Sequence, residues 1–164
     1  MTAFDKELQE VLNKLGKFRS SFKGKDYMKT LGEAAEPALD ALKAEAPESK
    51  EVHYIREQGK QVRIRPGNLR RSIQVFQSKN KSARSVMVGP VVSKKSRIKS
   101  VPGIKRMTRR NRAFYWRFVY YGTPHIAPDR FIDRARNTSQ AAVMRKLKTG
   151  IEKYASKTVK TLFN

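Results

Sequence analysis

The sequence contains no cysteine, so neither a disulfide framework nor a thiolate zinc site is available to it. Its only histidines, His53 and His125, lie far apart and have no companions at metal-ligand spacing. We therefore expect both to be structural, and we expect no metal and no cofactor. No apolar run approaches the roughly 20 residues of a membrane-spanning helix, and no secretory signal is visible. These absences predict a protein without a membrane partner, made in a reducing cytoplasm and not exported.

Acidic residues are missing from the whole interval between Glu57 and Asp129, which holds eighteen lysines and arginines. The flanks differ, because residues 1–57 carry a net charge of −1 and residues 129–164 a net +6. Most of the formal +23 is therefore concentrated in the centre of the chain. Like charges crowded on a folded surface repel each other. An acid-free block of this length predicts contact with a polyanion, most simply nucleic acid.

Length and composition favour a single folded domain over residues 1–164. Eight Phe, six Tyr and one Trp are too many for a disordered basic tail. The pattern predicts an α+β fold in which helices flank a small antiparallel sheet. We expect a helical part over 1–46, a β-sheet part over 50–128 with a basic arm at 93–113, and a C-terminal helix over 129–162.

Two helical segments are predicted in the N-terminal part. Apolar residues at three- and four-residue steps predict a helix over 4–16 that stops at Gly16. A second helix is predicted over 26–44, with Asp26 as its cap. Pro37 lies inside that pattern, so we expect a kink or two abutting helices there.

The β-like part begins with alternating apolar and polar residues. Val52–Arg56 and Gln61–Arg65 surround Gly59 and predict a hairpin. Further strands are predicted over Ser72–Gln77 and Ser85–Val92. The arm at 93–113 follows, and with nine basic residues and no acidic one it is too charged for us to expect burial.

The aromatic segment Phe114–Tyr121 is predicted to be a strand or a helix-to-strand segment, and its role has two interpretations. Aromatic faces beside arginine suit the stacking of single-stranded bases. A core strand with alternating buried faces explains the same residues, and we expect the core strand.

The candidate polyanion contacts are basic residues within and after the second predicted strand and throughout the arm. No helix-turn-helix, zinc finger or ribonucleoprotein motif is present, so we expect contact with the phosphate backbone and no sequence readout. The candidates are Arg63, Arg65, Arg70, Arg71, Lys94, Lys95, Arg97, Lys99, Lys105, Arg106, Arg109, Arg110 and Arg112.

Signatures of an enzyme are missing from the sequence. It has no phosphate-cradling glycine loop, no nucleophile elbow and no H-E-x-x-H motif. A magnesium-dependent nuclease needs clustered carboxylates, and after Glu57 only Asp129, Asp133 and Glu152 are acidic. Asp129 and Asp133 lie four residues apart, but acids at a helix N-terminus also offset the helix dipole. We expect no catalytic residues and no enzyme activity.

Four segments in order resemble a known family. Pro66–Ile73 is similar to a "proline, glycine, x, leucine, x, x, serine, isoleucine" signature, and Val86–Gly89 is similar to the short strand that follows it. Tyr115–Thr123 and Pro128–Ala135 resemble the most recognisable part. The family is that of bacteriophage tail-completion and head–tail joining (neck) proteins, including minor tail protein Z-like components of long-tailed phages. The fold-forming positions of these motifs are Gly67, Leu69, Ile73, Gly89, Tyr121, Gly122, Thr123, Pro128, Phe131 and Ala135.

The resemblance implies a non-enzymatic virion protein of the neck or tail, assembled in the cytoplasm of the bacterial host. Its implied partners are further copies of itself in a ring, for example a hexamer, and neighbouring connector, stopper or tail-terminator proteins. Genomic double-stranded DNA in transit is the third implied partner. Six central segments would bring on the order of a hundred positive charges around a duplex.

Three features depart from the family pattern: Tyr120 replaces a frequent acidic residue, Arg134 replaces a frequent proline, and the basic arm is longer. Two alternatives stay open beside the phage protein. One is a free-standing, sequence-nonspecific nucleic-acid-binding protein, and the other is a metal-dependent nuclease that uses Asp129 or Asp133.

Overall fold

The fold is seen in a computed structural model that describes residues 3–22, 24–57, 59–78, 85–92, 101–104 and 112–163. It is α+β, as predicted, and it contains two separate two-stranded antiparallel sheets where the sequence suggested one. The elements in chain order are α1 (Ala3–Ser21), α2 (Lys25–Ala34), α3 (Glu36–Glu45), β1 (His53–Glu57), β2 (Lys60–Ile64), α4 (Asn68–Ser72), β3 (Ile73–Gln77), β4 (Val86–Pro90), α5 (Trp116–Tyr121) and α6 (Phe131–Phe163).

Helix α1 runs past the predicted stop at Gly16 and ends at Ser21. The prediction was wrong because one glycine costs a helix only about 1 kcal/mol. Contacts at the far end of α1 stabilise the continued helix. The phenol of Tyr154 on α6 donates a 2.7 Å hydrogen bond to the carbonyl of Ser21, and its ring lies 5.5 Å from that of Phe22.

Helices α2 and α3 abut at Ala35, as the position of Pro37 predicted. Pro37 lies in the first turn of α3, where a missing backbone N–H breaks no helical hydrogen bond. Gly24 takes the N-cap position of α2, so the prediction that Asp26 caps this helix was wrong. Asp26 lies in the first turn instead, where a carboxylate still favours the positive end of the helix dipole.

The predicted hairpin is present, and the two further predicted strands pair with each other. In the first, His53 lies opposite Ile64 and Glu57 opposite Lys60, with Gly59 in the turn. In the second, β3 and β4 pair antiparallel, and the fold-motif residue Gly89 lies opposite Gln74.

The aromatic segment forms a helix, so the prediction of a core strand was wrong. Trp116–Tyr121 is the six-residue helix α5, and Phe118 and Tyr121 are both more than half exposed. Strand propensity misled the prediction because tertiary contacts decide the state of short aromatic runs. The rings of Trp116 and Tyr120, one helical turn apart, lie 6.2 Å from each other at an interplanar angle of 53°, and Tyr120 also packs on the buried ring of Phe131.

The core lies between α3, the two sheets and the first turns of α6. Four positions of the fold motifs are buried there: Leu69, Ile73, Phe131 and Ala135. From this end α6 extends for 33 residues, about 50 Å, with α1, α2 and α3 packed along it.

Gly122 ends α5 in a conformation that requires glycine. Its φ is +77°, and an added Cβ would lie 2.8 Å from the carbonyl oxygen of Ile126 and 2.9 Å from the backbone nitrogen of Pro128. The bridge between Thr123 and Ile126 closes this turn before α6 begins.

Candidate nucleic-acid interface

Four candidate arginines lie on the surface around a single turn. Arg63 and Arg65 alternate with buried Ile64 along and just beyond β2, which directs both guanidinium groups to solvent. Arg70 and Arg71 are exposed on α4, and Arg71 donates a hydrogen bond to the carbonyl of Pro66. Gly67, with a φ of +67°, makes the turn between the two pairs.

These four guanidinium groups have no salt-bridge partner within the part of the chain that the structure describes. An unpaired cation on a surface is free to bind an anion from outside. The four arginines therefore form an exposed basic surface, which we call the turn cluster.

Arg112 has a different setting from the turn cluster. Its Nη1 donates a 2.9 Å hydrogen bond to Oε1 of Glu57, and Nη2 donates to Oε2 of the same carboxylate. The side chains are only 19% and 23% exposed, and the guanidinium also lies 5.6 Å from the ring centroid of Phe114. This bidentate pair joins the end of β1 to the segment that enters α5.

The other arm candidates lie outside the described residues, namely Lys94, Lys95, Arg97, Lys99, Lys105, Arg106, Arg109 and Arg110. The two ends of the arm meet, because the N–H of Ala113 donates a 2.8 Å hydrogen bond to the carbonyl of Val91. The side-chain amide of Asn68 holds the returning end by donating to the carbonyl of Arg112 at 2.9 Å.

The middle of the arm is anchored on α2, contrary to the expectation that the arm avoids burial. Val101 is 2% exposed, and Val101 and Ile104 pack against Gly32 so closely that an added Cβ there would lie 2.5 Å from a Val101 methyl carbon. Val101–Ile104 is an uncharged stretch inside the charged arm, which is why it can be buried. Since Val101 and Ile104 are both apolar, the sequence did contain the signal for this anchor.

A second basic surface lies on α6, where only Asp133 and Glu152 are acidic. This surface lies outside the acid-free interval, so the concentration of charge in the centre of the chain does not indicate it. Two of its basic residues are paired, Arg134 with Glu45 and Asp129, and Lys146 with Glu36. The exposed and unpaired ones, within the described structure, are Arg136, Arg145, Lys148, Lys153, Lys157 and Lys160.

The two aspartates considered as ligands for a nuclease metal both accept hydrogen bonds from neighbouring side chains. Asp129 accepts a 2.7 Å hydrogen bond from Arg134, and Asp133 accepts one of 2.8 Å from the phenol of Tyr120. Glu45 and Asp129 together raise the pKa of Arg134. Two of the three departures from the family pattern, Tyr120 and Arg134, therefore contact acidic residues at or near the start of α6. Across the described ranges, no three His, Asp or Glu side chains lie together in a metal-binding arrangement.

The two histidines contact residues close to them in the sequence. His53 Nε2 lies 2.5 Å from the hydroxyl of Ser49, and the backbone N–H of His125 donates to the hydroxyl of Thr123 at 3.3 Å.

Among the helices formed by described residues, none is long and apolar enough to cross a membrane.

Comparison with known proteins gives one family match. The family model described as "Bacteriophage HK97-gp10, putative tail-component" matches residues 6–122. The matched range runs from α1 to the end of α5 and contains the turn cluster and the arm. Searches give no significant match to a curated protein or to a solved structure.

Proposed function

The chain belongs to the HK97-gp10-like family of bacteriophage tail components, and we propose that it forms a tail-completion or head–tail joining ring around the DNA channel. The observation that carries this proposal is the turn cluster, four exposed arginines without salt-bridge partners among the described residues, in an acid-free interval of a tail component. Like charges crowded on one surface repel each other, and an anion facing the turn cluster would relieve this repulsion.

The chemistry of the turn cluster fits a channel lining better than a recognition site. Flexible arginines on a strand edge and a one-turn helix reach phosphates but present no rigid element to a groove. Phosphate contacts repeat along a duplex without a sequence register. DNA held in this way can still slide, which is what passage from the capsid requires.

In this proposal the chain contacts further copies of itself and a neighbouring connector, stopper or tail-terminator ring. It assembles in the host cytoplasm and ends in the virion. The basic arm at 93–113 contacts either the DNA or an acidic neighbouring ring, and Val101 holds the middle of the arm on α2.

The test compares two double variants in assembled particles. Arg63→Gln/Arg65→Gln removes charge from the turn cluster, while Arg19→Gln/Lys25→Gln removes the same charge from exposed helical positions. Both variants should be incorporated into particles, but only the first should slow DNA ejection, with the difference shrinking as salt is raised. If purified particles contain no copies of the chain, the proposal is wrong. Equal ejection by both variants would contradict the channel-lining role.

The free-standing nucleic-acid-binding alternative makes an opposite prediction in solution. It requires the monomer to bind short duplexes at submicromolar concentration at physiological salt. The ring proposal expects weak binding by a monomer, because few of the contacts are present before assembly. Fluorescence anisotropy across a salt series separates the two.

A further inference from the structure

The first half of α1 projects beyond the rest of the molecule. Helices α1 and α6 are antiparallel: Ser21 lies level with Tyr154, and the ammonium group of Lys14 lies 5.8 Å from the ring centroid of Phe163. Phe163 is the last residue of α6, so residues 3–13 continue about 16 Å past its end. We call residues 3–13 the overhang.

The overhang carries an apolar stripe that no described residue covers. Leu8, Val11, Leu12 and the adjoining Leu15 recur at helical spacing and are each about half exposed, at 48%, 46%, 51% and 50%. A projecting helix of three turns is marginal alone in water, because its stability comes mainly from packing of an apolar face. The stripe therefore requires a partner.

A cleft of suitable chemistry lies at the opposite end of the molecule. It has a volume of about 610 Å³ between the β1–β2 hairpin, α5 and the turn after Gly122. Its floor contains buried Ile64 and Leu69, and its rim is formed by Tyr54, Phe118 and Ile126, which are 59%, 52% and 49% exposed. Large apolar side chains exposed around a concave surface mark an interaction site.

The two surfaces cannot meet within one chain. The cleft adjoins the start of α6, since the N–H of Asp129 donates a hydrogen bond to the carbonyl of Val119, while the overhang lies beyond the end of α6. The helix between them is about 50 Å long. Complementary surfaces at opposite ends of a rod produce head-to-tail contacts, which close into rings when the rotation permits.

Charge also matches the overhang to this cleft. The overhang sequence has three acidic residues and one lysine, in a chain whose net charge is +23. Arg65 lines the cleft beside the rest of the turn cluster, and Glu48 is the one acidic residue of the described lining, so basic charge exceeds acidic charge around the cleft. A second apolar groove between α3, β4 and α6 is smaller, at about 270 Å³, and Met144 lies at its edge.

We propose that the overhang of one copy inserts its Leu8–Leu15 stripe into the hairpin–α5 cleft of the next copy. An amphipathic helix in an apolar groove is a common mode of recognition, with anchors at i, i+3, i+4 and i+7. The inference rests on the proposed self-association and specifies its contact. It also accounts for the exposure of Phe118 on α5, which lines the cleft.

Site-directed disulfide formation tests the contact cleanly, because the chain has no cysteine of its own. A Leu12→Cys chain is mixed with a Phe118→Cys chain under copper–phenanthroline oxidation, and Tyr54→Cys provides a second cleft position. The matched control is Met144→Cys, at an exposed methionine of the other groove. We expect Leu12 to cross-link to the cleft positions at least about tenfold faster than to Met144.

Preferred cross-linking to Met144, predominant Leu12–Leu12 dimers, or equal rates with all partners would overturn the inference. Images of the unsubstituted chain keep this result separate from the proposed function. If rings form but the cleft positions do not cross-link to Leu12→Cys, only the proposed contact is wrong. If the unsubstituted chain forms no ring in the particles, the proposed function is wrong as well.

Discussion

Replacing Arg112 with alanine tests whether a basic residue of the arm serves the fold or the DNA. The guanidinium makes two charge-assisted hydrogen bonds to Glu57 with both side chains about four-fifths buried. Exposed ion pairs contribute up to about 1 kcal/mol, and breaking a fully buried pair costs about 3–5 kcal/mol. The Arg112 pair lies between these limits, so Arg112→Ala should lower the free energy of unfolding by about 1–3 kcal/mol.

The matched control for Arg112 is Arg63→Ala, which removes an exposed arginine without a salt-bridge partner in the described structure. Chemical denaturation of both variants measures stability, and duplex binding across salt concentrations measures phosphate contacts. Arg63→Ala should change stability by less than about 0.5 kcal/mol and reduce the salt slope by about 0.9. Arg112→Ala should leave the slope unchanged.

A double-mutant cycle with Glu57→Gln completes the test of the Arg112 pair. The two substitutions should couple by about 0.5–3 kcal/mol, since the residues are in direct contact. Additive effects, or a loss of salt slope in Arg112→Ala with full stability, would refute the assignment of Arg112 to the fold.

Three further predictions concern the turn after α5, the arm anchor and a buried phenol. Gly122→Ala should cost about 2–4 kcal/mol in thermal unfolding, while Gly59→Ala, with the same positive φ but open space around its Cβ, should cost about 1–2 kcal/mol; equal costs would contradict the close backbone approach. Val101→Ala should remove about 1.5–2.5 kcal/mol of local packing and speed hydrogen exchange of the Ile104 amide at least tenfold, and unchanged exchange would show that the anchor is weak. Burial raises the pKa of the Tyr115 phenol above its ordinary value of 10, so the contribution of the neutral phenol to the free energy of unfolding is present below pH 10 and is lost as pH rises above that value. Tyr115→Phe should abolish this part of the loss of stability at alkaline pH. The same loss of stability in the variant and the unsubstituted chain would refute the prediction.

Local sequence signals were sufficient where they acted within one element. Alternation around Gly59 predicted the β1–β2 hairpin, and Pro37 predicted the break between α2 and α3. The periodic apolar residues of α6 predicted its existence and nearly its bounds. These signals depend on few neighbours, so the rest of the fold does not override them.

Predictions failed where distant contacts decide the outcome. Nothing near Gly16 shows that packing on Tyr154 of α6 helps to carry α1 to Ser21. Aromatic residues at 114–121 have strand propensity, but the contact of Tyr120 with Phe131 and the turn at Gly122 select a helix.

The candidate site was predictable in charge but only partly in location. The exposure of Arg63 and Arg65 follows from their alternation with Ile64, whereas Arg70 and Arg71 lie on α4 and are outside that pattern. The pairing of Arg112 with Glu57 spans 55 residues, and a single sequence gives no signal for it. The same is true of the cleft, whose walls come from three separate segments of the chain.

Cryo-electron microscopy of the intact phage particle, with this chain placed in the density, tests the central claim most directly. The proposal predicts a closed ring of copies in the neck or tail, with Arg63, Arg65, Arg70 and Arg71 facing the DNA channel. A ring whose turn cluster faces outward, or a particle in which the chain surrounds no channel, would contradict it.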